Sequence, residues 1–90
     1  MEVRFTPGHT WSVVRRAIAF GAVVEGCSIA CILPATVIAR ELSHWPGLSR
    51  GLCEETFERS RAVVERAVCR HLEQWGVPPE GELLILTLED

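Results

Sequence analysis

Apolar and polar positions change their rhythm several times along this chain of 90 residues, and each change marks an element. Residues 2–6 read as a short strand, closed by the Pro7-Gly8 turn signal. From Trp11 to Val24 β-branched and small apolar residues dominate, and after Glu25-Gly26 the same character resumes from Cys27 to Leu33. Two extended runs around a Glu-Gly turn predict a β-hairpin. Its register places Ile18 and Phe20 on one face of the first strand, and Ile29, Cys31 and Leu33 on one face of the second.

Pro34 stands where a helix accepts a proline, in its first turn, and predicts a short helix over 35–42 that Trp45-Pro46-Gly47 ends. A longer helix follows over 52–75, where Cys53, Phe57, Val64, Val68, Leu72 and Trp75 recur at spacings of 3, 4 and 7. Acids and bases alternate on its other faces, with Glu55–Arg59 and Glu58–Arg61 spaced to pair. Gly76 stops the helix and Pro78-Pro79 forbid its continuation. Residues 82–88 then read as a strand with apolar residues on both faces. The order β-β-β-α-α-β predicts an α+β fold, a small antiparallel sheet with two helices packed on one face, in a single domain over 1–90.

Helices on one face leave the other with Ala17, Ala19, Ala30, Ile32 and one side of the last strand. A half-buried antiparallel sheet would carry polar residues there. This second face, or the edge of the last strand, is therefore expected to be buried in a homodimer.

Composition narrows the function classes. The formal net charge of −3 argues against nucleic acid as a partner. All 9 basic residues are Arg, while Lys, Asn and Tyr are absent, a bias that reads first as G/C-rich coding. The N-terminus lacks a basic segment followed by an apolar one, so no secretory signal is expected. The apolar stretch from Ala17 to Leu33 is too interrupted for a membrane helix. A cytoplasmic location with reduced thiols follows as the expectation.

Candidate chemistry is sparse. Cys27 and Cys31 on one strand lie roughly 13 Å apart and cannot grip one ion. Cys53 and Cys69 are 16 residues apart on the long helix. Cys69 and His71 project about 200° apart. These cysteines read as small apolar side chains. His9, His44 and His71 have no neighbour whose spacing names a role, and no phosphate loop, HExxH or CxxC is present. No catalytic residue, cofactor or metal ligand is assigned. Arg59, Arg66 and Arg70 form a stripe interleaved with Glu55, Glu58, Glu65 and Glu73, the signature of a solvated helix face. Glu89-Asp90 reads as a solubilising tail. Trp11, Trp45 and Trp75 read as plugs at the ends of the core, with a binding surface as the other reading.

Phe5-Thr6, Thr10-Trp11, Ala17-Ile18-Ala19-Phe20, Gly26 and Ile29-Ala30-Cys31-Ile32 occur in an order that resembles a small bacterial family catalogued as domain of unknown function 1488. Phe57-Glu58-x-x-Arg61-x-x-Val64-Glu65 and the Gly-led final strand extend the likeness from end to end. Ser12 departs from it, standing where the pattern favours an acid. The resemblance implies a compact α+β domain with a curved antiparallel sheet and two helices, and brings no activity, cofactor or substrate. It directs attention to Glu58 and Arg61. The Arg61 stem is expected over the core, its guanidinium clamping helix to sheet, with recognition of a partner's acidic group as the alternative. Together these readings point to a small non-catalytic interaction or regulatory module whose candidate residues are Trp11, Glu58 and Arg61. A nucleic-acid-associated protein using the Arg stripe and a metal- or redox-active thiol protein are the alternatives.

Overall fold

In the computed structural model, which describes residues 1–43 and 47–88, two short strands lead into a long hairpin. They are β1 (Val3–Phe5) and β2 (Thr10–Ser12), followed by β3 (Ala17–Val24) and β4 (Cys27–Pro34). Helix α1 (Ala35–Ile38) winds on into a π-helical stretch, Ala39–Ser43. Helices α2 (Arg50–Arg59) and α3 (Arg61–Trp75) and the last strand, β5 (Glu82–Leu84), complete the order. The class is α+β. His44, Trp45 and Pro46, where the first helix was expected to end, and the Glu89-Asp90 tail lie outside the described residues.

The hairpin forms in the anticipated register. Ile18 faces Leu33, Phe20 faces Cys31 and Ala22 faces Ile29, all buried in the core beneath the helices. Glu25 and Gly26 alone connect the strands, both with positive φ (49° and 85°), so the turn is of the left-handed kind that matches strand twist.

The first extended run, by contrast, is divided. Trp11 to Val24 is not one strand, because residues 13–16 turn back and set β2 antiparallel against β3. No Gly, Pro, Asn or Asp marks this turn. It is built instead by the Ser12 hydroxyl, which accepts the Arg15 N–H at 3.2 Å, and by Arg16 at φ 48°. Both β1 and β2 pair along the same edge of β3. Phe5 stands opposite Ala22 and Thr10 opposite Ala19, so residues 6–9 face only Phe20 and Gly21. Together β1 and β2 make one edge strand interrupted by a large bulge.

The sheet is mixed rather than purely antiparallel. After β4 the chain crosses the core as helices and returns in the same direction, which makes β5 parallel to β4. The expected strand over 82–88 ends at Leu84 because its partner ends at Pro34 and turns into a helix. Ile85 still donates to the Ile32 carbonyl at 2.8 Å. Beyond it, side chains replace the ladder. Arg40 donates to the Leu86 carbonyl (2.7 Å), Glu41 accepts from the Leu88 N–H (2.7 Å), and Arg70 donates to the Leu88 carbonyl (3.0 Å). Burial pushes the Glu41 carboxyl up, but bonds from Arg40, the Leu88 N–H and Thr87 outweigh it and hold the group below its ordinary range.

The long helix is broken at Ser60, a residue type that competes with helical bonding. Its N–H is shared between the Thr56 and Phe57 carbonyls (3.0 and 3.1 Å). Helix α2 starts earlier than expected because the Ser49 hydroxyl caps it, accepting from Leu52 N–H at 3.3 Å. Cys53, Phe57, Val64, Val68 and Leu72 are buried in the expected stripe. Trp75 is not part of it. The last turn of α3 overhangs the core and leaves this ring 70% exposed.

The helix-free face of the sheet is covered at one end only. Ile32 and Ala17 are buried there, although no helix lies over them. Arg15, on the β2–β3 turn, reaches across the central strands to Glu82 on β5 (2.8 Å) on this same face.

Two outcomes follow. Glu25→Asn places a residue that accepts positive φ beside Gly26 and raises stability by about 0.5 kcal/mol in urea denaturation. Glu41→Gln removes a carboxylate whose pKa is lowered by folding. Its stabilisation is present above the ordinary glutamate value and lost as pH falls through the depressed one, so the variant shows a smaller loss of melting temperature across that acidic range than the wild type.

Candidate functional site

The bulge over residues 6–9 exists for reasons written in its residues. Pro7 has no N–H to offer β3, and Gly8 takes φ 82°, open only to residues without a side-chain clash. Thr6 stays on the sheet, its N–H bonded to the Gly21 carbonyl at 3.1 Å. The carbonyls of Thr6 and Gly8, however, are not in the ladder.

Arg61, the first residue of α3, supplies the missing donors. Its Nη2 donates to the Thr6 carbonyl (2.7 Å) and its Nη1 to the Gly8 carbonyl (3.0 Å). The Nε donates to Glu65 Oε2 at 2.9 Å, and Glu58 Oε2 lies 3.6 Å from Nη1. The guanidinium carbon sits 5.1 Å from the Phe57 ring centre and 5.7 Å from that of Phe20. One side chain thus joins both helices, the bulge and the aromatic core. Glu58 and Arg61 are brought together, whereas Trp11 belongs to another contact, half-buried opposite Ile18 with the Arg16 guanidinium 6.0 Å from its ring.

The bulge also re-aims His9 toward α2. Its Nδ1 lies 2.6 Å from Glu58 Oε2 and its Nε2 2.8 Å from Glu54 Oε2, while its ring meets Phe57 edge-on at 5.3 Å. Arg50 holds the other Glu54 oxygen at 2.9 Å. Bonds from His9 first, then Arg50, keep the Glu54 carboxyl below its ordinary range. Sequence reasoning gave His9 no role, placed Glu65 on a solvated helix face and did not single out Glu54. One signal was present. Glu54 and Glu58 are like charges one turn apart, an arrangement that destabilises a bare helix and calls for a cation between them.

On the opposite side, the bulge borders an open groove of about 680 Å³ in the helix-free face. Ala19, Gly21 and Ala30 form its floor, with Thr6, Pro7, Gly8 and His9 along one side and Ser28 and Gly81 along others. The floor is necessarily small, since a Cβ on Gly21 would come within 2.7 Å of Thr6 Oγ1.

The other candidate groups do not converge. Burial, then the neighbouring Cys69, pushes the Cys31 thiol up to about 12, and burial likewise raises Cys53 and Cys69. These thiols are protonated at neutral pH and poorly nucleophilic. Among the described residues, no group of three His, Cys, Asp or Glu side chains is arranged to hold a metal ion. The Arg stripe is interrupted by the break at Ser60, with Arg59 beside Glu55 on α2 (3.8 Å) and Arg70 turned to the Leu88 carbonyl. No helix among the described residues is long and apolar enough to cross a membrane.

Removing Arg61 takes away two charge-assisted bonds to the main chain and the packing of its stem over Phe57, while water can reach the exposed Thr6 and Gly8 carbonyls. Arg61→Ala lowers stability by about 1–2 kcal/mol in urea denaturation. Arg61→Lys recovers less than half of the loss, because an ammonium cannot reproduce the planar fork.

The family model described as protein of unknown function (DUF1488) matches residues 3–85. Among solved structures, the chain is similar to a protein of unknown function from the DUF1488 family of Shewanella loihica PV-4. The TM-score is 0.79 and the identity 25%, over 92% of this chain and 90% of that one. No curated protein matches at a significant level. The family pattern spans the bulge, the hairpin, both long helices and β5, and it coincides with a shared fold, so the chain belongs to the DUF1488 family.

Proposed function

We propose that this chain is a non-catalytic protein-interaction or regulatory module of a bacterial cytoplasm, which binds a protein partner through the helix-free face of its sheet. The observation that carries this reading is the groove floored by Ala19, Gly21 and Ala30. Small side chains let another protein's backbone or apolar side chains approach the sheet closely. Leu84 and Leu86, 47% and 64% exposed along the last segment, add apolar surface beyond it. The groove contains few polar side chains and no reactive thiol, which suits recognition better than catalysis. A homodimer, in which two such faces or two β5 edges meet, is the simplest assembly of this kind.

Ala30 is exposed on the groove floor, so Ala30→Arg fills the groove without disturbing the core. The expected outcome is an unchanged melting temperature together with loss of association. Light scattering across a concentration series reads self-association, and a nuclease-treated pull-down with wild type and variant side by side reads a foreign partner. Equal association by wild type and variant in both measurements, or association by neither, overturns the reading.

A further inference from the structure

We propose that His9 is a pH-operated latch, an imidazolium bridging Glu54 and Glu58 that pins the bulge to α2 and lets go when it loses a ring proton. This goes beyond the binding reading and does not depend on what occupies the groove.

The geometry is two-sided. Each ring nitrogen faces a different carboxylate oxygen, at 2.6 and 2.8 Å. An ionised carboxylate only accepts, so both bonds exist at once when both nitrogens carry a hydrogen. A neutral ring has one N–H, and its bare nitrogen then faces an anion. One contact turns from attractive to repulsive, and the ring can no longer hold both acids. Imidazole is the side chain that makes this change between about pH 5 and 8.

Among the described residues, Glu54, Glu58 and Arg50 approach from α2, and Arg61 with its partner Glu65 from α3. The uncharged Phe57 ring lies between His9 and Phe20 of the sheet, in contact with both. Arg50 and Arg61 stay charged throughout. The depressed pKa of Glu54 keeps this acceptor ionised on the acidic side of the imidazole range. Its contribution is present above the ordinary glutamate value and lost only as pH falls through the lowered one. The latch is closed while the ring carries both protons and both acceptors are ionised.

Release is local. Arg61 still holds the Thr6 and Gly8 carbonyls at any pH, so the part freed is the His9 end of the bulge, which borders the groove.

Nitrogen-15 NMR of the intact chain tests this at about pH 5.5 and pH 8.5, either side of the imidazole range. His9→Gln, whose amide does not titrate, assigns the ring signals and serves as control. The expected result is a His9 ring protonated on both nitrogens at the lower pH and on one at the higher. With that change, the His9 backbone order parameter falls from about 0.85 to below about 0.7 while Thr6 stays rigid. In His9→Gln the order parameters do not change with pH. A ring with a single proton at the lower pH, or a His9 backbone equally ordered at both, overturns the proposal. If His9→Gln does not fold, Glu58→Gln supplies the control, since a neutral amide in place of that carboxylate also shrinks the pH effect.

Discussion

The Arg61 guanidinium donates to two main-chain carbonyls that no strand reaches, and the arrangement around the bulge depends on this contact. Pro7 and Gly8 take the edge strand away from β3 over residues 6–9 and leave carbonyls there outside the ladder. A planar fork on the first turn of α3 meets two of them together. The same group lies over Phe57 and Phe20, so the polar contact and the aromatic core hold each other in place. Glu58 and Glu65 steady it on either side. His9 can then point into the helices rather than into solvent, where its ring nitrogens meet Glu54 and Glu58 of α2.

The two faces of the sheet obey different constraints. Under the helices, Ile18, Phe20, Leu33, Phe57 and Val64 form a closed core. On the other face the Arg15–Glu82 ion pair crosses the sheet beside the buried Ile32 and Ala17, and the groove is floored by Ala19, Gly21 and Ala30, none larger than a methyl group. Gly21 is held small by the Thr6 hydroxyl, which also donates to the Gly21 carbonyl at 3.2 Å. The bulge thus serves both faces, supplying His9 to the helices and a wall to the groove.

Local patterns carried most of the fold. The Glu25-Gly26 turn fixed the hairpin register, and the spacing of Cys53, Phe57, Val64, Val68 and Leu72 gave the buried stripe of α2 and α3. The turn over residues 13–16 was hidden because a serine hydroxyl and a left-handed arginine make it, without Gly, Pro, Asn or Asp. The end of β5 was hidden because it is set by where β4 stops, far away in the chain. Trp75 misled for a related reason: helical periodicity reports a direction around the axis, not whether the core extends that far along it.

The family resemblance directed attention to Glu58 and Arg61, and the amino-acid sequence by itself determined the α+β class, the core stripe and the hairpin. These rest on residues within a few positions of one another, where periodicity and turn chemistry act directly. Only the tertiary structure decided that β1 and β2 share one edge of β3, that β5 is parallel, and that His9 meets Glu54 and Glu58. Those contacts join residues 45 and 49 positions apart. Local spacing does not encode such meetings; they are fixed when the sheet, the bulge and α2 pack together and each buried polar group must find a partner.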